Sequence, residues 1–144
     1  MEIQRTGDRK QIGPAEWFTG EVWFEKVTIG PSPPRLNVMK VRFPPGARTA
    51  WHTHPAGQVL HVIDGTGLIA ERGGPTTHIH AGDFAITEPG VWHWHGATRD
   101  TFMTHLAIQQ TDDNDIEFTW GEHVTDAEYL TEPLRAPAKS CFSS

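Results

Sequence analysis

The stretch GARTAWHTHPAGQVLHVIDG, residues 46–65, decides the fold of this chain. His52 and His54 are two residues apart in a segment rich in β-forming residues, and Gln58 follows them. Residues i and i+2 of a strand project from the same face. The two imidazoles are therefore predicted to point in one direction, as a pair of metal ligands does.

A second His-x-His pair, His93 and His95, lies in the segment PGVWHWHG after a Pro-Gly turn. Two such pairs on separate strands can meet inside a barrel and offer three or more nitrogen ligands to one metal. The Gln58 amide would add an oxygen ligand. Imidazole suits zinc, copper, iron and nickel, whereas an amide oxygen suits harder ions such as manganese. The predicted donor set is compatible with several divalent metals.

The size and turn content of the chain favour a single all-β domain. Its 144 residues include 14 Gly and 11 Pro, which are spread between short apolar runs. Many short strands separated by turns predict a sandwich or barrel. We expect one domain over residues 1–131, with its core at about 36–110. The segment EPLRAPAKSCFSS, 132–144, is predicted to be a flexible tail.

Charge and composition exclude several kinds of partner. The formal net charge is −6, and neither nucleic acid nor an anionic membrane surface attracts an acidic protein. The N-terminus has no apolar segment typical of a signal peptide, and no run approaches the ~18 apolar residues of a membrane span. Cys141 is the single cysteine, so no intrachain disulfide is possible. We expect a reducing, cytoplasmic location.

Alternation within the predicted strands assigns the side chains that face the interior. In the run 36–43, an inward face of Met39, Val41 and Phe43 leaves Lys40 and Arg42 in solvent, which avoids burying unpaired charges. Further strands are predicted at 21–29, 51–54, 58–64, 67–72, 76–79, 84–87, 91–96 and 101–110. The segment Thr125–Glu128 has the pattern of a capping box and predicts a short helix.

The remaining histidines are given other roles. His78 and His80 form a third His-x-His pair, but they precede a turn at a strand end and are predicted to be solvated. His61 and His123 are predicted to be structural. His95 remains open between a metal ligand and a group at the pocket edge, and His105 between a catalytic residue and a buried histidine satisfied by the backbone.

The motif spacings resemble those of a known family. Residues 46–65 resemble the first motif of the cupins, with Gln58 where most members have Glu. Residues 82–93 resemble the second motif, although the proline is one place late and Ala97 stands where Asn is frequent. The resemblance implies a single cupin (jelly-roll) β-barrel with a short C-terminal helix. The words GPAEWFTG, PGARTAWHTHPAGQ, HWHGA, MTHLAIQ and EHVTDAEY are similar to those of the cupin-type hydroxynitrile lyases.

This smaller group implies a site and an assembly. It implies a manganese ion, although iron, nickel and zinc would accept the same donors, and it implies a homodimer or higher homo-oligomer. The implied metal ligands are His52, His54, Gln58 and His93. The implied catalytic residues are His105 and His95. The substrate pocket predicted from strand alternation and this resemblance comprises Met39, Val41, Phe43, Ala107 and Gln109.

The donor set indicates Lewis-acid chemistry on a small-molecule substrate. Three neutral imidazoles and a neutral amide leave the full charge of a divalent ion uncompensated. The resemblance implies reversible cleavage of a cyanohydrin, or a related hydroxy compound, to an aldehyde. Two alternatives remain: a dioxygenase acting on a small aromatic or alkene substrate, and a non-catalytic cupin that binds a metal or a small ligand.

Overall fold

The computed structural model describes residues 1–131 and consists almost entirely of antiparallel strands. The predicted flexible tail, 132–144, lies outside the described residues. The elements are β1 Gln11–Ile12, β2 Phe18–Thr19, β3 Trp23–Ile29, β4 Leu36–Phe43, β5 Arg48–Thr49, β6 His52–Thr53, β7 Gln58–Glu71, β8 Thr76–His80, β9 Phe84–Thr87, β10 His93–Ala97, β11 Met103–Gln110, β12 Thr119–Trp120 and α1 Asp126–Tyr129.

The strands form two layers that share one long strand. Layer A contains β1, β3, β4, β11 and β9, and layer B contains β2, β5, β6, β8, β10 and β12. The first half of β7 pairs with β9 and β11 in layer A, and its second half pairs with β8 and β10 in layer B. Together the layers form the curled barrel that the sequence predicted.

Gly65 marks the point where β7 passes from one layer to the other. Its φ is 78°, in the left-handed region, and a Cβ there would collide with the backbone carbonyl of Phe102. Glycine is the residue that adopts this conformation without strain and leaves room for a neighbouring backbone. The sequence predicted separate strands at 58–64 and 67–72, whereas the structure has one continuous bent strand.

The main core lies between the two layers and is built from the inward faces of their strands. The predicted alternation of β4 is confirmed: Met39, Val41 and Phe43 are buried, while Lys40 and Arg42 are exposed. The core of buried residues comprises Phe18, Val22, Phe24, Met39, Val41, Phe43, Ala47, Leu60, Val62, Ile79, Ala97, Met103 and Ala107.

The C-terminal helix packs on the outside of layer B and closes a smaller core. Helix α1 begins at the predicted capping box, in which Thr125 and Glu128 each bond the other's backbone N–H. Tyr129 packs against Trp94 and donates a hydrogen bond of 2.7 Å to the carbonyl of Ala97. The buried Arg48 guanidinium stacks on the Tyr129 ring at 4.4 Å. These contacts fix the segment that follows β12 to the barrel.

No helix within residues 1–131 has the length and apolar character needed to cross a membrane.

Candidate active site

A cavity of about 30 Å³ opens between the two layers at one end of the barrel. Layer A supplies one wall through β4 and β11, and layer B supplies the histidines of β6 and β10. The lining residues are Trp17, Phe18, Met39, Val41, Phe43, Thr49, His52, His54, Gln58, His95, His105, Ala107, Gln109, Phe118 and Trp120. All five predicted pocket residues therefore line this cavity.

Strand pairing brings the two His-x-His segments together. His52 of β6 lies directly opposite His93 of β10, with ring centres 4.2 Å apart. His95 follows on the same face of β10. One ligand atom from each of His52, His93 and His95 lies within 4.8 Å of the others, and all three side chains are buried. Such a cluster in a barrel indicates a site for a divalent metal ion.

His54 and Gln58 lie beside this cluster. The His54 ring centre is 5.0 Å from that of His52 and 5.4 Å from that of His93. The Gln58 Oε1 atom is 3.1 Å from His93 Nε2. The four ligands predicted from the sequence are thus neighbours, although the ligand-atom distances group His95, and not His54, with His52 and His93.

Hydrogen bonds to the backbone distinguish His52, His54 and His93 from His95. The Nδ1 atoms of His52, His54 and His93 are 2.9, 3.0 and 3.1 Å from carbonyl oxygens. A carbonyl only accepts, so each Nδ1 carries the hydrogen and each Nε2 keeps its lone pair. This tautomer, with one ring nitrogen donating to the protein, is typical of metal-binding histidine.

His95 has a different partner. Its Nδ1 is 3.1 Å from His105 Nε2, so one of these two rings donates to the other. Buried and without a partner are His95 Nε2 and His105 Nδ1. The Nε2 atom of His105 thus contacts another imidazole rather than a backbone carbonyl. The two rings form a pair adjacent to the donor cluster.

A chain of side-chain hydrogen bonds fixes the orientation of the Gln58 amide. Lys26 Nζ donates to Glu117 Oε1 over 2.6 Å, and Gln109 Nε2 donates to Glu117 Oε2 over 2.8 Å. Gln109 Oε1 then accepts from Gln58 Nε2 at 3.1 Å. The Gln58 Oε1 atom is left facing His93 Nε2.

This arrangement suits a cation. Because His93 Nδ1 donates to a carbonyl, its Nε2 lone pair faces the lone pairs of Gln58 Oε1 at 3.1 Å. Two acceptors repel each other unless a proton or a metal ion lies between them. Burial lowers the pKa of His93, which disfavours the proton. Neighbouring donors of an octahedral ion with bonds of ~2.1 Å lie about 3.0 Å apart, so the observed separation fits a metal.

Burial keeps the site histidines neutral. Desolvation lowers the pKa of His54 to about 4 and that of His105 to about 3. The pKa values of His52 and His95 fall well below the usual range, mainly through desolvation and partly through neighbouring imidazoles. Neutral imidazole is the form that binds metals and accepts protons.

An aromatic cap, defined here as Trp17, Phe118 and Trp120, covers the cavity and was not predicted from the sequence. The Trp17 and Trp120 rings stack at 5.2 Å, and Phe118 contacts both at 5.0 and 5.1 Å. Trp120 also lies 4.6 Å from the His52 ring. The two-residue spacing of Phe118 and Trp120 was the available signal, because it places both rings on one face of a strand.

The other histidines lie away from the cavity. His78 and His80 are exposed, as predicted, and so is His123. His61 is half-buried on the outer face of layer A, where its ring stacks on Phe84 at 4.2 Å.

Comparisons with known proteins identify relatives over most of the chain. A family model described as the cupin domain matches residues 39–108. An (R)-mandelonitrile lyase from Granulicella tundricola is 48% identical over 130 residues, which span 90% of this chain and 98% of that protein. A cupin-like protein from Thermotoga maritima is 37% identical, with a TM-score of 0.78 over 88% of this chain and 95% of its own.

Solved structures of much lower identity share the architecture alone. A polyketide cyclase from Streptomyces resistomycificus has a TM-score of 0.68 at 15% identity, covering 90% of this chain and 89% of its own. At this identity the likeness concerns the fold, since unrelated reactions occur on one fold.

The metal-free protein is expected to lose stability in acid. In the unfolded chain the site histidines have an ordinary pKa and bind protons that the buried rings do not bind. The free energy of unfolding is therefore highest above about pH 6.5 and falls as the pH drops toward 4. At pH 5 each ring held neutral costs about 2 kcal/mol. Urea unfolding between pH 7 and pH 5 measures this loss. His105→Leu should reduce the slope of the free energy of unfolding against pH by about one proton. An unchanged slope would contradict this prediction.

Titration calorimetry of metal into metal-stripped variants distinguishes the two candidate ligand sets. His54→Leu is expected to weaken metal binding by more than about 100-fold, because it removes a direct donor. His95→Leu is expected to weaken it by about 10-fold, the lower end of the range for groups that surround a metal site without binding the ion. His61→Leu is the control for loss of an imidazole elsewhere. The reverse order of effects would assign the site to His52, His93 and His95.

Proposed function

Because this chain belongs to the cupin family, we propose that it is a metal-dependent lyase that reversibly cleaves a cyanohydrin to an aldehyde and hydrogen cyanide. Relationship to an (R)-mandelonitrile lyase over 98% of that protein's length supports an enzyme of this kind. The observation that carries the proposal is the His95–His105 pair, which lies against the donor cluster inside an otherwise largely apolar cavity.

The metal would be held by His52, His54, Gln58 and His93. The backbone fixes the tautomer of His52, His54 and His93, and the Gln58 amide presents its oxygen to His93 Nε2. When bound there, a divalent ion would supply a Lewis acid of undiminished charge, because all four donors are neutral. We propose manganese as the resident ion, with iron, nickel and zinc as alternatives.

The histidine pair would carry the proton. His95 Nε2 is buried without a partner, and its Nδ1 contacts His105. His95 Nε2 takes the proton of the substrate hydroxyl. His105 accepts a hydrogen bond from His95 Nδ1, on the opposite side of the ring, and stabilises the imidazolium. As the C–C bond breaks, its electron pair leaves with cyanide and the hydroxyl oxygen becomes the aldehyde oxygen. The proton then passes to cyanide, which leaves as hydrogen cyanide.

The cavity would select the substrate by shape. Met39, Val41 and Ala107 form an apolar wall opposite the histidines of β6 and β10, and Gln109 is held by its bonds to Gln58 and Glu117. A volume of about 30 Å³ admits only one or two water molecules. A substrate larger than this volume therefore requires the aromatic cap to move outward.

The assay for this reaction is aldehyde release from racemic mandelonitrile by manganese-loaded protein, under argon and in air. We expect metal-dependent, oxygen-independent and enantioselective release. His95→Leu should lower kcat by about 100-fold or more, the usual contribution of a proton-transfer group. His105→Leu should lower kcat less, because it removes only the acceptor that stabilises the imidazolium. His123→Ala, which removes an exposed imidazole, should be unaffected. Absence of release would contradict the proposal, and turnover that requires oxygen would favour the dioxygenase alternative.

We further propose that the protein is a homodimer that associates through the outer face of layer A. Strand register places Val27, Val38, Ile108, Val59 and Ile86 in one row across five strands. Ile86 is 71% exposed and Val27 43% exposed. Glu25 and Lys40 are paired in the next row, so a two-fold rotation can bring opposite charges together. Self-complementarity of this kind suits a symmetric dimer.

Ile86→Glu tests this assembly. A charge in the middle of an apolar interface is costly to bury, so the variant is expected to be monomeric by light scattering whereas the unaltered protein has twice the chain mass. Ile116→Glu alters an exposed isoleucine outside this face and should leave the mass unchanged. A monomeric unaltered protein, or a dimeric Ile86→Glu variant, would contradict the proposed interface.

A further inference from the structure

We propose that Glu117 is a positioning residue that orients two metal donors at once, the Gln58 amide and the His54 ring. The inference rests on the proposed metal site, and it assigns to Glu117, Gln109 and Lys26 a role in setting which atom of Gln58 faces the ion. Glu117 is 7% exposed and is not itself among the residues that line the cavity. Its side chain and its backbone act on different donors.

The carboxylate determines the direction of the whole hydrogen-bond chain. Both of its oxygens are engaged, one by Lys26 Nζ at 2.6 Å and the other by Gln109 Nε2 at 2.8 Å. A carboxylate accepts and does not donate. Gln109 must therefore present its NH2 group to Glu117 and its oxygen to Gln58.

The same constraint passes to the ligand. Facing the Gln109 oxygen at 3.1 Å, Gln58 must present its NH2 group there, and its own oxygen is turned toward His93. An amide has nearly the same shape after a flip, so sterics alone would not choose between a ligand oxygen and a non-ligand NH2. The buried negative charge makes that choice.

The backbone of Glu117 orients the second donor. Its carbonyl oxygen is 3.0 Å from His54 Nδ1, which leaves His54 Nε2 as the ligand atom. The position of this carbonyl is fixed by the adjacent strand β12, where Trp120 pairs with His52 and Thr119 with Thr53. Lys26 comes from β3 in layer A, so the ion pair also connects the two layers beside the site.

Variants that reverse the direction of the hydrogen-bond chain distinguish a positioning role of Glu117 from simple charge attraction. In Glu117→Gln, Lys26 selects the new amide oxygen, and the new NH2 turns Gln109 and then Gln58 around, so that an NH2 faces the ion. In the double variant Gln58→Glu/Glu117→Gln, Gln109 donates to the new carboxylate, whose second oxygen faces the ion. Both ends are then satisfied.

The experiment is a double-variant cycle of metal affinity, measured by calorimetric titration of Mn²⁺ and Zn²⁺ into metal-stripped protein. Glu117→Gln is expected to weaken binding by about 10-fold or more in the original background, the size typical of groups that orient a ligand. In the Gln58→Glu background the same change should leave affinity unaltered or raise it. Glu122→Gln, which removes an exposed carboxylate paired with Arg72, is the control.

The outcomes separate this inference from the proposed function. An equal loss from Glu117→Gln in both backgrounds would show a general effect of charge or packing and overturn the inference. No loss in the original background would also overturn it, and protein that binds neither metal would overturn it together with the metal site. The predicted reversal without any cyanohydrin cleavage would support the positioning role and contradict the lyase.

Discussion

The antiparallel pairing of β6 with β10 is the constraint on which the site depends. It sets His52 opposite His93 and places both rings inside the barrel, where neither can be hydrated. Desolvation then keeps these rings neutral, and hydrogen bonds from their Nδ1 atoms to the backbone decide which nitrogen is free. Strand register thus buries the rings, burial keeps them neutral, and backbone hydrogen bonds fix the tautomer. Together these effects leave nitrogen lone pairs free to bind a cation.

Much of the fold could be predicted because its signals are local. Alternation in β4 identified the buried side chains, and the capping box identified the start of α1. The His-x-His spacing placed His93 and His95 on one strand and His52 on another, with His54 just beyond its end. Turn residues marked most strand ends. The continuous strand β7 was missed because the sequence around Gly65 resembles a turn. In the structure the positive φ of Gly65 allows one strand to bend.

The surroundings of the site could not be predicted because they depend on contacts between distant segments. Lys26 and Glu117 are 91 residues apart, and no spacing relates them. Trp17 reaches Trp120 only after the layers have closed. The family resemblance assigned His54 to the metal and left the role of His95 open, and only the structure shows the different hydrogen-bond partners that distinguish the two rings.

The membership of β7 in both layers has a consequence for the dynamics of the protein. Because this strand pairs with β9 and β11 on one side and with β8 and β10 on the other, neither layer can detach without breaking it. Amide hydrogens along β7 should therefore exchange only through global unfolding, as a single cooperative unit. We expect local opening at the ends of the barrel instead, where the cavity and its ligand strands lie.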